Sequence, residues 1–165
     1  MRVLTAILLA VLTACSAALG PSVAPSFDAT ATPTGEDLVR VVRVVDGDTI
    51  VVAIGGPCGT KVRLIGIDTP ERDECFYRAA TDRMRTLVDG KSVKLVHDVS
   101  ETDRYGRLLR YVYDGARSIN AMMVSEGFAN AATYPPDVAH ALEYVALERK
   151  ARLAGLGLWS KKCFP

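Results

Sequence analysis

The sequence predicts an α+β chain, mainly β, with five short strands and three helices in the order βββαββαα. Three observations carry the prediction. Short runs rich in Val, Ile and Leu are each cut off by Gly, Asp or Pro. One run of helical period stands between the third and fourth strands, and two more come after the fifth.

Leu38 to Val45 is β-branched and punctuated by Arg40 and Arg43, which is strand. Asp46-Gly47-Asp48 is turn chemistry, and Thr49 to Ile54 resumes as strand, so the two form a hairpin-like pair. Gly55-Gly56-Pro57 ends it, and Lys61 to Ile67 is a third strand, stopped by Asp68-Thr69-Pro70. The first helix spans roughly Arg78 to Val88, with Ala80, Met84, Leu87 and Val88 on its inner side and Gly90 as its stop. Ser92 to His97 and Leu108 to Tyr113 are strands four and five. Ser118 caps a short helix that runs through Ser125 and is closed by Gly127. Asp137 is expected to cap the last helix, with Val138, Leu142, Val145 and Leu153 facing inward, and Trp159 to anchor the chain end on the domain. Met122 and Met123 are read as core, and His97 and His140 as structural. Five short strands with an interposed helix suit a small Greek-key barrel of the OB type.

Ahead of this domain, Met1 to Ala14 is short, apolar and free of acids, with Arg2 before the run Val3 to Leu12. That is the pattern of an export signal, too short to cross a bilayer as a helix. Leu12-Thr13-Ala14-Cys15 resembles the box at which bacterial lipoproteins are cleaved and lipidated, so Cys15 is the expected anchor. A plain signal cut further on, giving a freely secreted protein, is the alternative. Residues 15–37, rich in Ala, Ser, Thr, Pro and Gly, read as a tether, and residues 38–165 as the domain. With Cys15 lipidated, Cys58, Cys75 and Cys163 remain, and in an oxidising setting two should pair. Cys75 lies at the start of a helix and Cys163 just past the last one, so a bridge between them would pin the C-terminal tail. Cys58–Cys75 and no bridge at all stay open.

Charge limits the function classes. The chain has 20 Lys and Arg against 19 Asp and Glu, for a net charge of +1. Loss of residues 1–14 removes Arg2 and leaves 19 of each sign. Bulk electrostatic binding of nucleic acid needs a large basic excess, so any such binding must be local.

Three polar stretches end apolar strands, and in a barrel strand ends gather on a rim. Taken singly, Asp-Gly-Asp reads as a turn and Asp-Thr-Pro as a strand terminator. Together, Asp46, Asp48, Asp68 and Thr69 offer the oxygen donors that Ca²⁺ prefers, on separate loops rather than in an EF-hand spacing. Arg63 sits in the apolar run Val62 to Ile67, where an unpaired cation would be costly. Guanidinium grips phosphate through two parallel hydrogen bonds, or a carboxylate in the same way, so Arg63 and Arg107 fit either partner. Two Arg, a cation and the spare carboxylate of Glu71 are the parts needed for phosphodiester hydrolysis.

VVDGDT, VRLIGIDTPE and TDRYGR resemble, in order, the three signature stretches of the staphylococcal nuclease (thermonuclease) family. The similarity runs from about Leu38 to Trp159. It implies an OB fold and a Ca²⁺-dependent enzyme that cleaves DNA and RNA to 3′-phosphate products. By that likeness Asp48, Asp68 and the backbone carbonyl of Thr69 hold calcium, and Asp46 supports them from behind. Glu71 serves as general base or orients the attacking water, while Arg63 and Arg107 grip the phosphate. Tyr105 bonds a neighbouring phosphate. Where the family carries a pair of tyrosines for nucleotide stacking, this chain has NAATYPP, with Tyr134 alone. The loop after Glu71 is shorter than the family's and carries Asp73 and Glu74 instead of lysine. The competing reading is a catalytically silent OB module that binds nucleic acid or protein, and a third is a surface adhesin or structural lipoprotein. Arg63, Glu71 and Arg107, together with Asp48 and Asp68, favour the enzyme. No protein partner is expected and the chain is read as a monomer.

Overall fold

A computed structural model describes residues 38–163. The signal-like run, Cys15 and the tether lie outside the described residues. Eight strands and three helices succeed one another as β1 (Leu38–Val44), β2 (Thr49–Val52), β3 (Thr60–Leu64), β4 (Ile67–Asp68), α1 (Tyr77–Val88), β5 (Ser92–Val96), β6 (Leu108–Asp114), β7 (Arg117–Ser118), α2 (Ile119–Ser125), β8 (Asn130–Ala131) and α3 (Ala141–Leu153).

Five of these close a barrel in the order β3-β2-β1-β5-β6, with parallel pairing of β3 to β6 as the seam. Closure leaves no free edge among those five. β1 makes it possible. Its first half pairs with β5 and its second half with β2, and a bulge between Val41 and Arg43 bends it from one partner to the other. Val41, Ile50, Val52, Val62, Leu64, Val93 and Val112 fill the interior, none more than 1% exposed. The expected βββαββαα order stands, and the short strands β4, β7 and β8 are additions to it.

α1 buries Ala80, Met84, Leu87 and Val88, the face its 3.6-residue period predicted. Ser118 caps α2, its hydroxyl accepting from the Ala121 N–H at 3.2 Å. Met123 is fully buried and Met122 packs at the core's margin.

Three local expectations are corrected. The third strand does not reach Ile67: it stops at Leu64, turns at Ile65-Gly66 and restarts as β4. Gly66 takes φ 78°, and a Cβ there would lie 2.9 Å from the Tyr144 ring, so only glycine allows the turn. Asp137 does not cap α3. Its buried carboxylate accepts from the N–H groups of Val99 and Ser100 at 3.0 and 2.7 Å, and α3 begins after His140 without a side-chain cap. The inward face of α3 is also different: Tyr144 and Ala151 are buried, whereas Leu142 is 89% and Leu153 81% exposed, with Val138 and Val145 also outside. Both stripes recur at helical spacing, so period alone cannot choose between them. Packing chooses Tyr144, whose ring stacks on His140, meets Tyr111 edge-on and covers Gly66.

Candidate active site

The β1–β2 turn builds the first part of the site. The Asp46 carboxylate accepts from the Asp48 N–H at 3.1 Å, which closes an Asx turn and leaves Asp48 pointing inward. Gly47 is required there because a Cβ would stand 2.8 Å from the Thr69 side chain. The turn thus presses directly on the loop after β4. Asp48, only 7% exposed, joins the two: its Oδ2 accepts from Thr69 N–H at 3.1 Å and Thr69 Oγ1 at 2.9 Å, and its Oδ1 from Thr49 Oγ1 at 3.1 Å.

Arg63, on β3, is the counter-charge. Its Nη1 donates to the carbonyls of Leu64 and Ile67 at 2.8 and 2.9 Å, across the turn that Gly66 permits. Its Nη2 lies 3.1 Å from both Asp48 Oδ2 and Asp68 Oδ1. The guanidinium therefore bridges two carboxylates, and its plane is fixed by backbone oxygens.

Burial, and then the neighbouring Asp48 charge, push the Asp46 carboxyl above its usual range. Asp68 is also pushed up, chiefly by burial; Arg63 pulls against this while the charges of Asp48 and Glu74 add to it. One guanidinium thus serves a crowd of carboxylates. Among the described residues no three His, Cys, Asp or Glu side chains converge into a metal cage. A cation here would rest on Asp48, Asp68 and backbone or solvent oxygens. Those hard donors and the surplus of negative charge fit Ca²⁺.

The second part comes from residues 103–107, ahead of β6. The Asp103 carboxylate accepts from the N–H groups of Tyr105 and Arg107 at 2.9 and 3.0 Å, and from Arg107 Nε at 2.6 Å. Burial raises the Asp103 carboxyl, but these bonds outweigh it and hold it below the usual range. Among the described residues the Arg107 side chain makes its hydrogen bond through Nε, which leaves its terminal nitrogens for another acceptor. Arg104 and Arg107 both lie over the Tyr105 ring, at 4.8 and 5.5 Å. Because β3 and β6 pair in register, Arg63 opposite Leu109, the two arginines come to one end of the same seam.

There they line a single cleft of about 490 Å³, together with Tyr105, Tyr134, Arg104 and Asp137. Tyr105 and Tyr134 are 68% and 67% exposed, with rings open to solvent. Glu71 is not among the lining residues. It is exposed on the loop after β4, three residues beyond Asp68, with its N–H tied to Glu74 Oε2 at 2.7 Å. Cys75, on the same loop, is bonded to Cys163, with Cα atoms 5.8 Å apart, and Cys58 is outside the bridge. His97 is exposed past β5, and His140 sits at the start of α3 against Tyr111 and Tyr144.

Three cleft residues escape the sequence reading. Asp103 was legible as an acid four residues before Arg107, and Arg104 as a second cation within DRYGR. Asp137 carried no such signal, because its partners are 37 and 38 residues away.

Known proteins are similar to this chain over most of its length. The sequence model of the family described as "Staphylococcal nuclease homologue" matches residues 61–161, which include Arg63, Asp68, Glu71 and Arg107. A thermonuclease from Staphylococcus hyicus is 33% identical over 131 residues, covering 76% of this chain and 77% of its own. An uncharacterized endonuclease of Escherichia coli is 40% identical over 124 residues, covering 73% and 76%, and a micrococcal nuclease of Shigella flexneri is 39% identical over 132 residues, covering 73% and 72%. With the closed barrel and these matches in hand, the chain belongs to the staphylococcal nuclease homologue family.

Proposed function

We propose that this nuclease is a Ca²⁺-dependent phosphodiesterase that hydrolyses DNA, RNA or both outside the cytoplasm and leaves 3′-phosphate ends. The observation that carries the reading is the meeting of Arg63 and Arg107 with Tyr105 and Tyr134 in one cleft, whose Arg63 edge is shared with Asp48 and Asp68.

The surroundings of the two arginines support their tasks, and the likeness to the family supports those of Glu71 and the cation ligands. Arg63 is held by two carbonyls, so a phosphate must compete only for the edge now given to Asp48 and Asp68. Arg107 is oriented through Nε by Asp103 and offers its two terminal nitrogens to a phosphate. Together they neutralise the charge that builds on the phosphoryl oxygens as the five-coordinate transition state forms. Asp48, Asp68 and the Thr69 carbonyl would hold calcium, with Asp46 bracing Asp48. A bound Ca²⁺ would supply further charge neutralisation at the phosphate. Glu71 accepts the proton of the attacking water as its oxygen bonds to phosphorus. The bond from phosphorus to the 5′ oxygen breaks, that oxygen takes up a proton from solvent to leave as the 5′ hydroxyl, and the phosphate stays on the 3′ side. Tyr105 reaches a neighbouring phosphate, and Tyr134 offers a ring on which a base stacks.

The apolar run before Cys15 supports export with a lipid anchor at Cys15, the cell membrane being the binding partner there and nucleic acid the substrate. The protein acts as a monomer. The deciding experiment incubates the purified chain with single-stranded DNA in calcium and in a chelator. Degradation in calcium alone, lost in Glu71→Gln, is expected. Intact DNA in calcium, or undiminished cleavage in chelator, would refute the reading.

A further inference from the structure

Past Glu71, the loop that leads to α1 is exposed from Arg72 to Cys75 and has few ties to the rest of the molecule. Between β4 and α1, Asp73 and Phe76 adopt φ 77° and 70°, a region disfavoured for residues with a Cβ. Such backbone persists only where its surroundings impose it. Here the hydrogen bonds do not. Glu71 N–H to Glu74 Oε2, Glu74 N–H to the Glu71 carbonyl and Tyr77 N–H to the Glu74 carbonyl all stay within the segment and the start of α1. An open groove of about 790 Å³ lies beside it, lined by Arg72, Glu74, Tyr77 and Lys162, so packing on that side is absent.

Ahead of Glu71 the chain is held by Thr69, bonded to Asp48, and by buried Pro70. Beyond Glu71 it is tied to the rest of the molecule by the Cys75–Cys163 bond, with the Phe76 ring set 6.3 Å from Phe128. The far end of that bond is firmly based. Leu158 N–H donates to the Gly127 carbonyl at 2.8 Å, joining the tail to the end of α2. Arg152 of α3 lies 4.0 Å over the Trp159 ring. Cys163 N–H then bonds the Ser160 carbonyl at 3.2 Å.

We propose that the Cys75–Cys163 disulfide is a positioning device for Glu71: it imposes the left-handed backbone of Asp73 and Phe76, and its reduction frees the loop that carries Glu71 and switches hydrolysis off. The inference rests on Glu71 being the group that handles the water proton. It confines activity to oxidising surroundings. Reduction is a two-electron step: a dithiol gives up two electrons and two protons, becoming a cyclic disulfide, and Cys75 and Cys163 become thiols.

A disulfide that closes an 88-residue separation also stabilises the whole fold, so loss of activity alone would not separate the two roles. The test compares the full chain, its dithiothreitol-reduced form and C75S/C163S at a temperature where melting curves show all three folded. It measures kcat and KM on single-stranded DNA, each in the wild-type and Glu71→Gln backgrounds. A fall in kcat of about tenfold or more is expected with KM changed little, together with no further fall in the Glu71→Gln background, as for residues acting as one unit. Unchanged kcat on reduction, an equal fall in both backgrounds, or loss of the folded state at every temperature would overturn the positioning role. A Glu71→Gln variant as active as wild type would instead overturn the assignment of Glu71, and this inference with it.

Discussion

Gly47→Ala tests the closeness on which the site depends. The backbone at Gly47 is not in the left-handed region, so alanine is acceptable there and only space decides. The new Cβ would stand 2.8 Å from Thr69 Cγ2 and Oγ1 and 2.9 Å from its Cβ, against 3.4 Å or more for ordinary contact. Something must move by roughly half an ångström, and overpacking of that kind costs about 1–3 kcal/mol. If Thr69 yields, its hydroxyl leaves Asp48 Oδ2, now at 2.9 Å, so the strain and the loss of a bond to a buried carboxylate overlap. For a domain of this size that is a drop of roughly 4–12 °C in Tm. Circular dichroism melts of the wild type, Gly47→Ala, Thr69→Ala and the double variant provide the measurement. Thr69→Ala removes two of the three clashing atoms, so the double variant should be less destabilised than the two single changes together. A Gly47→Ala melt within about 1 °C of wild type, or strict additivity, would refute the close approach of the two loops.

Two further outcomes are expected. Burial raises the Asp137 carboxyl, but the N–H groups of Ser100 and Val99 and the Ser100 hydroxyl outweigh it and hold it below the usual carboxylate range. Its charge therefore adds stability that is full above the unfolded value, about 3.9, and fades as pH falls through the lower folded value. The gap between wild type and Asp137→Asn in denaturant melts should be about 1 kcal/mol near pH 6 and close below about pH 4; a gap independent of pH would contradict the assignment. If the proposed anchor at Cys15 holds, replacing Cys15 with Ser should release the protein from membranes into the medium, and continued membrane retention would rule the anchor out.

Local order was legible from the sequence because it rests on short-range chemistry. The Val-rich strands, the inner face of α1 and the Ser118 cap each depend on neighbours within a turn or a pleat. The three polar stretches, by contrast, read singly as turns and strand ends, and it is the likeness to the nuclease family that joins them into one site. Choice among equals and contact at a distance required the tertiary structure. α3 has two apolar stripes, and the ring stack of Tyr111, His140 and Tyr144 over Gly66 decides that Leu142 faces solvent. Asp137 looks like a cap, yet two N–H groups brought by another loop take its carboxylate. Arg63 could have met a salt bridge or a phosphate; the turn at Gly66 holds it between carbonyls and carboxylates, and the parallel seam of β3 and β6 carries Arg107 into its cleft. Residue type sets what a side chain can bind, but barrel closure determines which groups are near enough to be bound.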